Sequence, residues 1–186
     1  MMKARVVTGL AGLAVVLWAL VVRGALTLDL GIGRRYRTLG PLRVRIGAPR
    51  ETVFDVIASP YLGRTPRALR AKLHVLERGA DLVLAEHYTR THGLTATTLE
   101  TVRFEPPARV DFRLVRGPVP HVVEQFLLEE TAAGTELEYR GELGTDLWAL
   151  GGVWGAAVAS TWVATVESSL ATVKAEAERR AGTKPQ

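Results

Sequence analysis

The groups in this sequence best suited to chemistry are a carboxylate, an imidazole and two phenols: Glu100, His87, Tyr88 and Tyr139. All four lie in stretches that alternate apolar and polar residues, so each belongs to a strand and points to one of its two faces. A carboxyl aimed inward loses its water, its pKa rises, and it becomes a general acid or base. Glu86 and Glu100 are the strand carboxylates whose alternation could aim them that way, and Tyr88 and Tyr139 could donate hydrogen bonds to a ligand carbonyl. Spacing alone fixes no catalytic residue, because no nucleophile elbow, phosphate loop or dinucleotide fingerprint accompanies them. His74, His92 and His121 stand in strands or turns without an acidic partner at a metal-binding spacing, and the sequence implies no metal and no cofactor. With no cysteine in the chain, thiolate nucleophiles, disulfides and Cys-based metal sites are excluded.

The elements that must position these groups follow from period. Val44 and Ile46 alternate with arginines as in a half-buried strand; Pro49 then opens a helix carrying Val53, Phe54 and Ile57. Residues 71–144 read as strands. Their turns fall at Arg78–Asp81, Thr91–Gly93, Glu105–Ala108, Arg116–Pro120 and Thr131–Gly134. Between Thr135 and Leu143 the odd positions are small, apolar or aromatic and the even ones are charged, so one face is wet and the other inward. Val110, Phe112 and Leu114 alternate in the same way. A last helix runs from about Leu147 to Arg180, with an apolar stripe through Leu147, Leu150, Trp154, Val158, Trp162, Val166, Leu170 and Val173. Its first 20 residues, Leu147–Val166, are uncharged and long enough for a membrane span. Their abundance of Gly, Ala, Ser and Thr leaves a core helix open as the alternative to a span.

The V-x-I-x-A-P-x-x-x-V-F-x-x-I opening, the R-F-E-P-P turn at Arg103–Pro107, the G-T-E-L-E-Y strand at Gly134–Tyr139 and the long final helix resemble the START-like, helix-grip superfamily (SRPBCC). The likeness lies in its polyketide cyclase/dehydrase and lipid-transport branch and covers roughly residues 42–181. It implies an α+β helix-grip fold, a curved antiparallel sheet of about seven strands wrapped around the C-terminal helix, with a hydrophobic cavity between them. On that expectation the ligand meets Phe112, Tyr88, Tyr139, Leu137, Trp154 and Val158, with Gly155 and Ala159 leaving room for it. The loop Ser59–Arg67 borders the mouth in such proteins. Arg64 and Arg67 there could gate an acidic or phosphorylated head group, because guanidinium forks suit such oxygens.

Outside the domain, Val6–Val22 is 17 residues without a charge. It spans about 26 Å as a helix, slightly short of a ~30 Å hydrocarbon core. A cleaved signal peptide shares its basic start, but the apolar run is longer than usual and no clear cleavage site follows. The expected organisation is a single-pass anchor over 1–28, a basic juxtamembrane linker over 29–41, the ligand-binding domain over 42–181 and a disordered tail over 182–186. Residues 1–72 carry a net charge of +10 and residues 73–186 carry −5. Arg34, Arg35 and Arg37 can attract anionic lipid head groups, and the positive-inside rule narrowly places the domain on the cytoplasmic face of the cell membrane. No aromatic interleaving supports nucleic-acid binding, and no protein partner is indicated.

Two functions remain open. One is a membrane-tethered binding or transfer module for a lipid, isoprenoid or other apolar molecule, the reading favoured on sequence. The other is a cyclase or dehydratase using Glu100, Tyr88, Tyr139 or His87 as acid or base. An inward Glu or His in contact with Tyr favours the second; a cavity lined only by Leu, Val, Phe and Trp favours the first.

Overall fold

The alternation along the chain becomes one seven-stranded antiparallel sheet in a computed structural model that describes residues 2–91 and 93–182, with side chains from residue 12 onward. His92 and the predicted tail beyond residue 182 lie outside the described residues. A helix α1 (Met2–Val22) precedes β1 (Arg35–Ile46) and α2 (Arg50–Leu62). The meander β2 (Leu73–Arg78), β3 (Leu82–Thr91), β4 (Leu94–Glu105), β5 (Arg109–Arg116), β6 (His121–Thr131) and β7 (Gly134–Thr145) follows, and then α3 (Trp148–Gly182). Strand order is β1-β7-β6-β5-β4-β3-β2, so the first strand closes onto the last and β2 is the far edge.

Period 2 explains the core. Val83 and Ala85 of β3, Val102 of β4, Val110 and Phe112 of β5, Val122 and Leu128 of β6, and Leu137, Tyr139 and Leu143 of β7 are all buried on one face. Val53, Phe54 and Ile57 of α2 and Val166 and Leu170 of α3 cover that face. By length and a mean hydropathy of 1.4, α3 has the composition of a membrane span. Its inner face nevertheless packs against β1, β7 and α2, as a grip helix requires.

Several boundaries move relative to the sequence reading. β1 begins at Arg35, ahead of Leu42, because Gly40-Pro41 is a bulge rather than a break: the register slips between Leu39 and Leu42 and Gly40 takes a φ of +86°. Ser59, Pro60 and Tyr61 belong to α2, whose backbone continues through Pro60 until Gly63 N–H bonds the Ser59 carbonyl at 3.0 Å. Leu150 does not join the buried stripe but is 72% exposed, and the inner positions at that end of α3 are Gly151, Gly155 and Ala159.

Arg34 is not a free basic residue of a tether. Asp146, buried just ahead of α3, accepts Arg34 Nε at 2.7 Å together with the N–H groups of Leu30 at 2.6 Å and Gly31 at 2.9 Å. The Arg34 bond, then burial acting against it, then the two backbone donors leave the Asp146 carboxyl at about 2. Arg34 also pairs with Asp29. The segment after α1 is therefore fastened to the start of α3. Earlier in it, Gly24 passes so close to β4 that a side chain there would strike the Thr97 carbonyl, and the Thr27 hydroxyl donates to the Gly117 carbonyl at 2.8 Å.

Candidate active site

A polar cluster sits inside the apolar face of the sheet, and its members come from alternation that is otherwise apolar. On β3 the inward positions run Val83, Ala85, His87. On β4, Glu100 pairs with Ala85, which places its carboxylate diagonally beside His87 on the same face. His87 Nδ1 lies 3.2 Å from Glu100 Oε2, a charge contact without the alignment of a hydrogen bond. His87 Nε2 shares a 2.8 Å hydrogen bond with the Tyr61 hydroxyl from α2, and the Thr98 hydroxyl donates to Glu100 Oε1 at 2.6 Å.

Burial works against a charge on either partner of the His87–Glu100 pair. For His87 the adjacent carboxylate outweighs burial and the pKa is raised; for Glu100 the imidazole and the Thr98 hydroxyl outweigh it and the pKa is lowered. The two therefore stabilise each other as an ion pair. Burial, with Glu100 and Glu124 nearby, lifts the Tyr61 phenol far above its ordinary value, so its hydroxyl keeps its proton.

A second centre lies two strands on. Glu124 of β6 is 6% exposed, and its Oε1 accepts the Tyr139 hydroxyl of β7 and the Trp162 indole N–H of α3, both at 2.7 Å. Burial first, and the charge of Glu100 second, raise the Glu124 carboxyl to about 7. A chain of aromatic rings links the two centres. Phe112 lies 5.8 Å from Tyr61, 6.2 Å from His87 and 5.4 Å from Phe126, and Phe126 lies 5.3 Å from Tyr139, centroid to centroid. One interior thus holds two carboxyls pushed apart in pKa, Glu100 kept ionised beside His87 and Glu124 kept protonated up to about 7, the separation on which acid–base chemistry depends. Among the described residues, no group of three His, Cys, Asp or Glu is placed to hold a metal.

Residues 42–178 match the family described as polyketide cyclase / dehydrase and lipid transport. The chain belongs to this family. Similar solved structures include the Zhui aromatase/cyclase from Streptomyces sp. R1128, with a TM-score of 0.63 and 17% identity over 79% of this chain and 95% of that one. The di-domain aromatase/cyclase BexL of the BE-7585A pathway gives 0.58 at 21% identity, over 82% of this chain and 52% of that one. TTHA0849 from Thermus thermophilus gives 0.57 at 18%, over 81% and 98%. At these identities the likeness is one of fold. No curated protein matches the sequence.

Within this polyketide cyclase/dehydrase fold, the expected site residues divide. Glu100, His87, Tyr139, Phe112 and Leu137 meet on the inner face. Tyr88 does not: it faces outward with Glu86, whose Oε2 accepts its hydroxyl at 2.6 Å, because both sit one residue out of phase with His87. Trp154 directs its indole N–H to the Pro118 carbonyl at 2.8 Å, and Val158 packs at the margin of the core. Gly155 lets α3 approach β7, since a Cβ there would sit 3.0 Å from Thr145 Oγ1; Ala159 is buried. Arg64 lines a shallow surface basin of about 370 Å³ with Thr65, Arg70, Leu73, His74 and Tyr88, whereas Arg67 starts a short 3-10 turn beside it.

Sequence reasoning passed over Tyr61, Thr98 and Glu124. Glu124 had a visible signal, as the one charged residue in the inward series Val122, Glu124, Phe126, Leu128. Tyr61 carries none, because the sequence reads Ser59–Arg67 as a loop.

Proposed function

We propose that this chain is an acid–base enzyme of the cyclase/dehydratase type, acting on an apolar, oxygenated polyketide-like substrate and held at a membrane by α1. The Tyr61–His87–Glu100 relay is the observation that carries the reading, since a carrier of apolar ligands has no use for a buried ion pair costing several kcal/mol to desolvate. The aromatase/cyclase names of two fold neighbours agree with it.

Dehydration of a β-hydroxy carbonyl needs a base to take the α proton and an acid to release the hydroxyl as water. The Glu100 carboxylate, held ionised by the His87 imidazolium, is the base; His87 Nε2–H donates to the Tyr61 oxygen, and the Tyr61 hydroxyl donates to the carbonyl oxygen where enolate charge develops. Glu124, near neutral pKa, gives its proton to the hydroxyl, which departs as water as the C–O bond breaks and the C=C bond forms; Glu124 is reprotonated from solvent and Glu100 returns the α proton to solvent. Support for the anchor comes from the uncharged run Val6–Val22 and from the exposure of Leu13, Val15, Val16, Leu17, Trp18 and Leu20 on α1.

The test is turnover of β-hydroxy ketone polyketide mimics by the full chain in detergent, with loss of water followed by mass spectrometry. Glu100→Gln is expected to keep binding and lose ~10² to 10⁴ in rate. Mimics that bind and leave unchanged would instead establish the carrier reading, in which the same interior holds a lipid or isoprenoid without altering it.

A further inference from the structure

Beside the clasp at Asp146 the surface becomes apolar. Leu28, Leu30 and Ile32 on one segment and Trp148, Leu150 and Val153 on the other are exposed by 47%, 51%, 52%, 57%, 72% and 74%. The two segments are bonded together: Leu147 N–H to the Ile32 carbonyl at 2.8 Å, and Trp148 N–H to the Gly33 carbonyl at 3.0 Å. The Trp148 ring lies against Gly33, where any side chain would overlap it. Leu147 and Trp148 hold positive φ values of 68° and 48°, an unfavourable state for non-glycine residues that is maintained here by the clasp. Polar groups beneath the patch are satisfied by one another and its large apolar side chains are turned outward, the reverse of what burial favours in water.

What covers the patch is indicated by its position in the chain. It starts six residues after α1, whose own apolar side chains are exposed, and Gly24 and Thr27 fix that connection to the domain. Arg23, Arg35 and Arg37 flank it, and a tryptophan stands among the aliphatic residues, the composition of a membrane interface.

We infer that the patch formed by Leu28, Leu30, Ile32, Trp148, Leu150 and Val153 inserts into the interfacial region of the bilayer, docking the domain on the membrane with the start of α3 at the lipid surface. It rests on the reading of α1 as an anchor. Docking gives an apolar substrate a path from lipid to the grip helix that avoids water. A free tether would leave the patch hydrated.

Because the chain has no cysteine, single labels report cleanly. Val15→Cys on α1, Val153→Cys on the patch and Ala132→Cys on the β6–β7 turn, each in the full chain, are labelled with an environment-sensitive fluorophore. The proteins are placed in phosphatidylcholine/phosphatidylglycerol vesicles containing a lipid-borne quencher. Quenching at Val15→Cys and Val153→Cys but not at Ala132→Cys is expected, and adding Leu150→Glu should abolish it at Val153→Cys alone. Quenching confined to Val15→Cys keeps the anchor and overturns docking. Quenching at Val153→Cys without Val15→Cys keeps docking and overturns the anchor, and quenching at neither overturns both. Energy transfer between labelled Val153→Cys copies without lipid quenching would assign the patch to a second copy of the chain and overturn docking.

Discussion

Glu124 gives up stability above its unfolded pKa because the fold keeps its carboxyl protonated. Its carboxyl titrates near 4.5 when unfolded and at about 7 when folded, so the folded state holds the proton more tightly and the protein is relatively favoured at low pH. Stability should fall as pH rises from about 4.5 to 7, by up to ~3 kcal/mol for this group, and stay reduced above. Glu124→Gln keeps an oxygen for the Tyr139 and Trp162 donors and removes the titration. The variant should therefore melt higher than the parent at pH 8 and match it near pH 4.5, as thermal melts across that range would show. The phenols make a second contrast. Tyr61→Phe removes the hydroxyl on His87 and should cost most of the turnover, while Tyr88→Phe only frees Glu86 on the outer face and should be silent in the same assay. At this scale half the site was legible: inward alternation marked Tyr139, and Glu100 and His87 were suspected for their chemistry. Tyr61 depends on the path of a helix through a proline, and no local pattern carries that information. Phase separates Tyr88 from His87, and only the register with β4 fixes that phase.

Elements were easier to read than the contacts between them. Strong period-2 and helical patterns made the seven strands and the two domain helices visible, since each must bury one face. The start of β1 was missed because Gly40-Pro41 has the chemistry of a turn, yet the pairing with β7 resumes beyond it. Small residues on α3 were also ambiguous: a glycine facing empty space and one facing a strand look alike in sequence. Gly155 faces Thr145, so Gly155→Leu should force the helix off β7 and cost ~1–3 kcal/mol in a denaturant titration. An unchanged midpoint would mean that α3 stands clear of the strand there.

For the molecule as a whole, deletion of residues 1–28 should leave a folded domain, because the sheet, α2, α3 and the Asp146 clasp all lie beyond that point. Sedimentation with vesicles should fall after the deletion. Any residual binding by Arg35 and Arg37 should vanish at ~1 M salt, where the Debye length is ~3 Å. Persistent binding after that wash would be apolar in origin and carried by Leu30, Ile32, Trp148, Leu150 and Val153, which the deletion leaves in place.

The strand order has one more consequence, for the order of assembly. β1 is made before every other strand, yet its pairing partner β7 is made after all of them, with Arg35 meeting Thr145. During synthesis β2 to β6 can zip with sequence neighbours while β1 waits, its pairing groups unsatisfied. An anchored α1 would hold that waiting strand at the membrane surface, out of reach of other chains' edges, until β7 arrives to close the sheet.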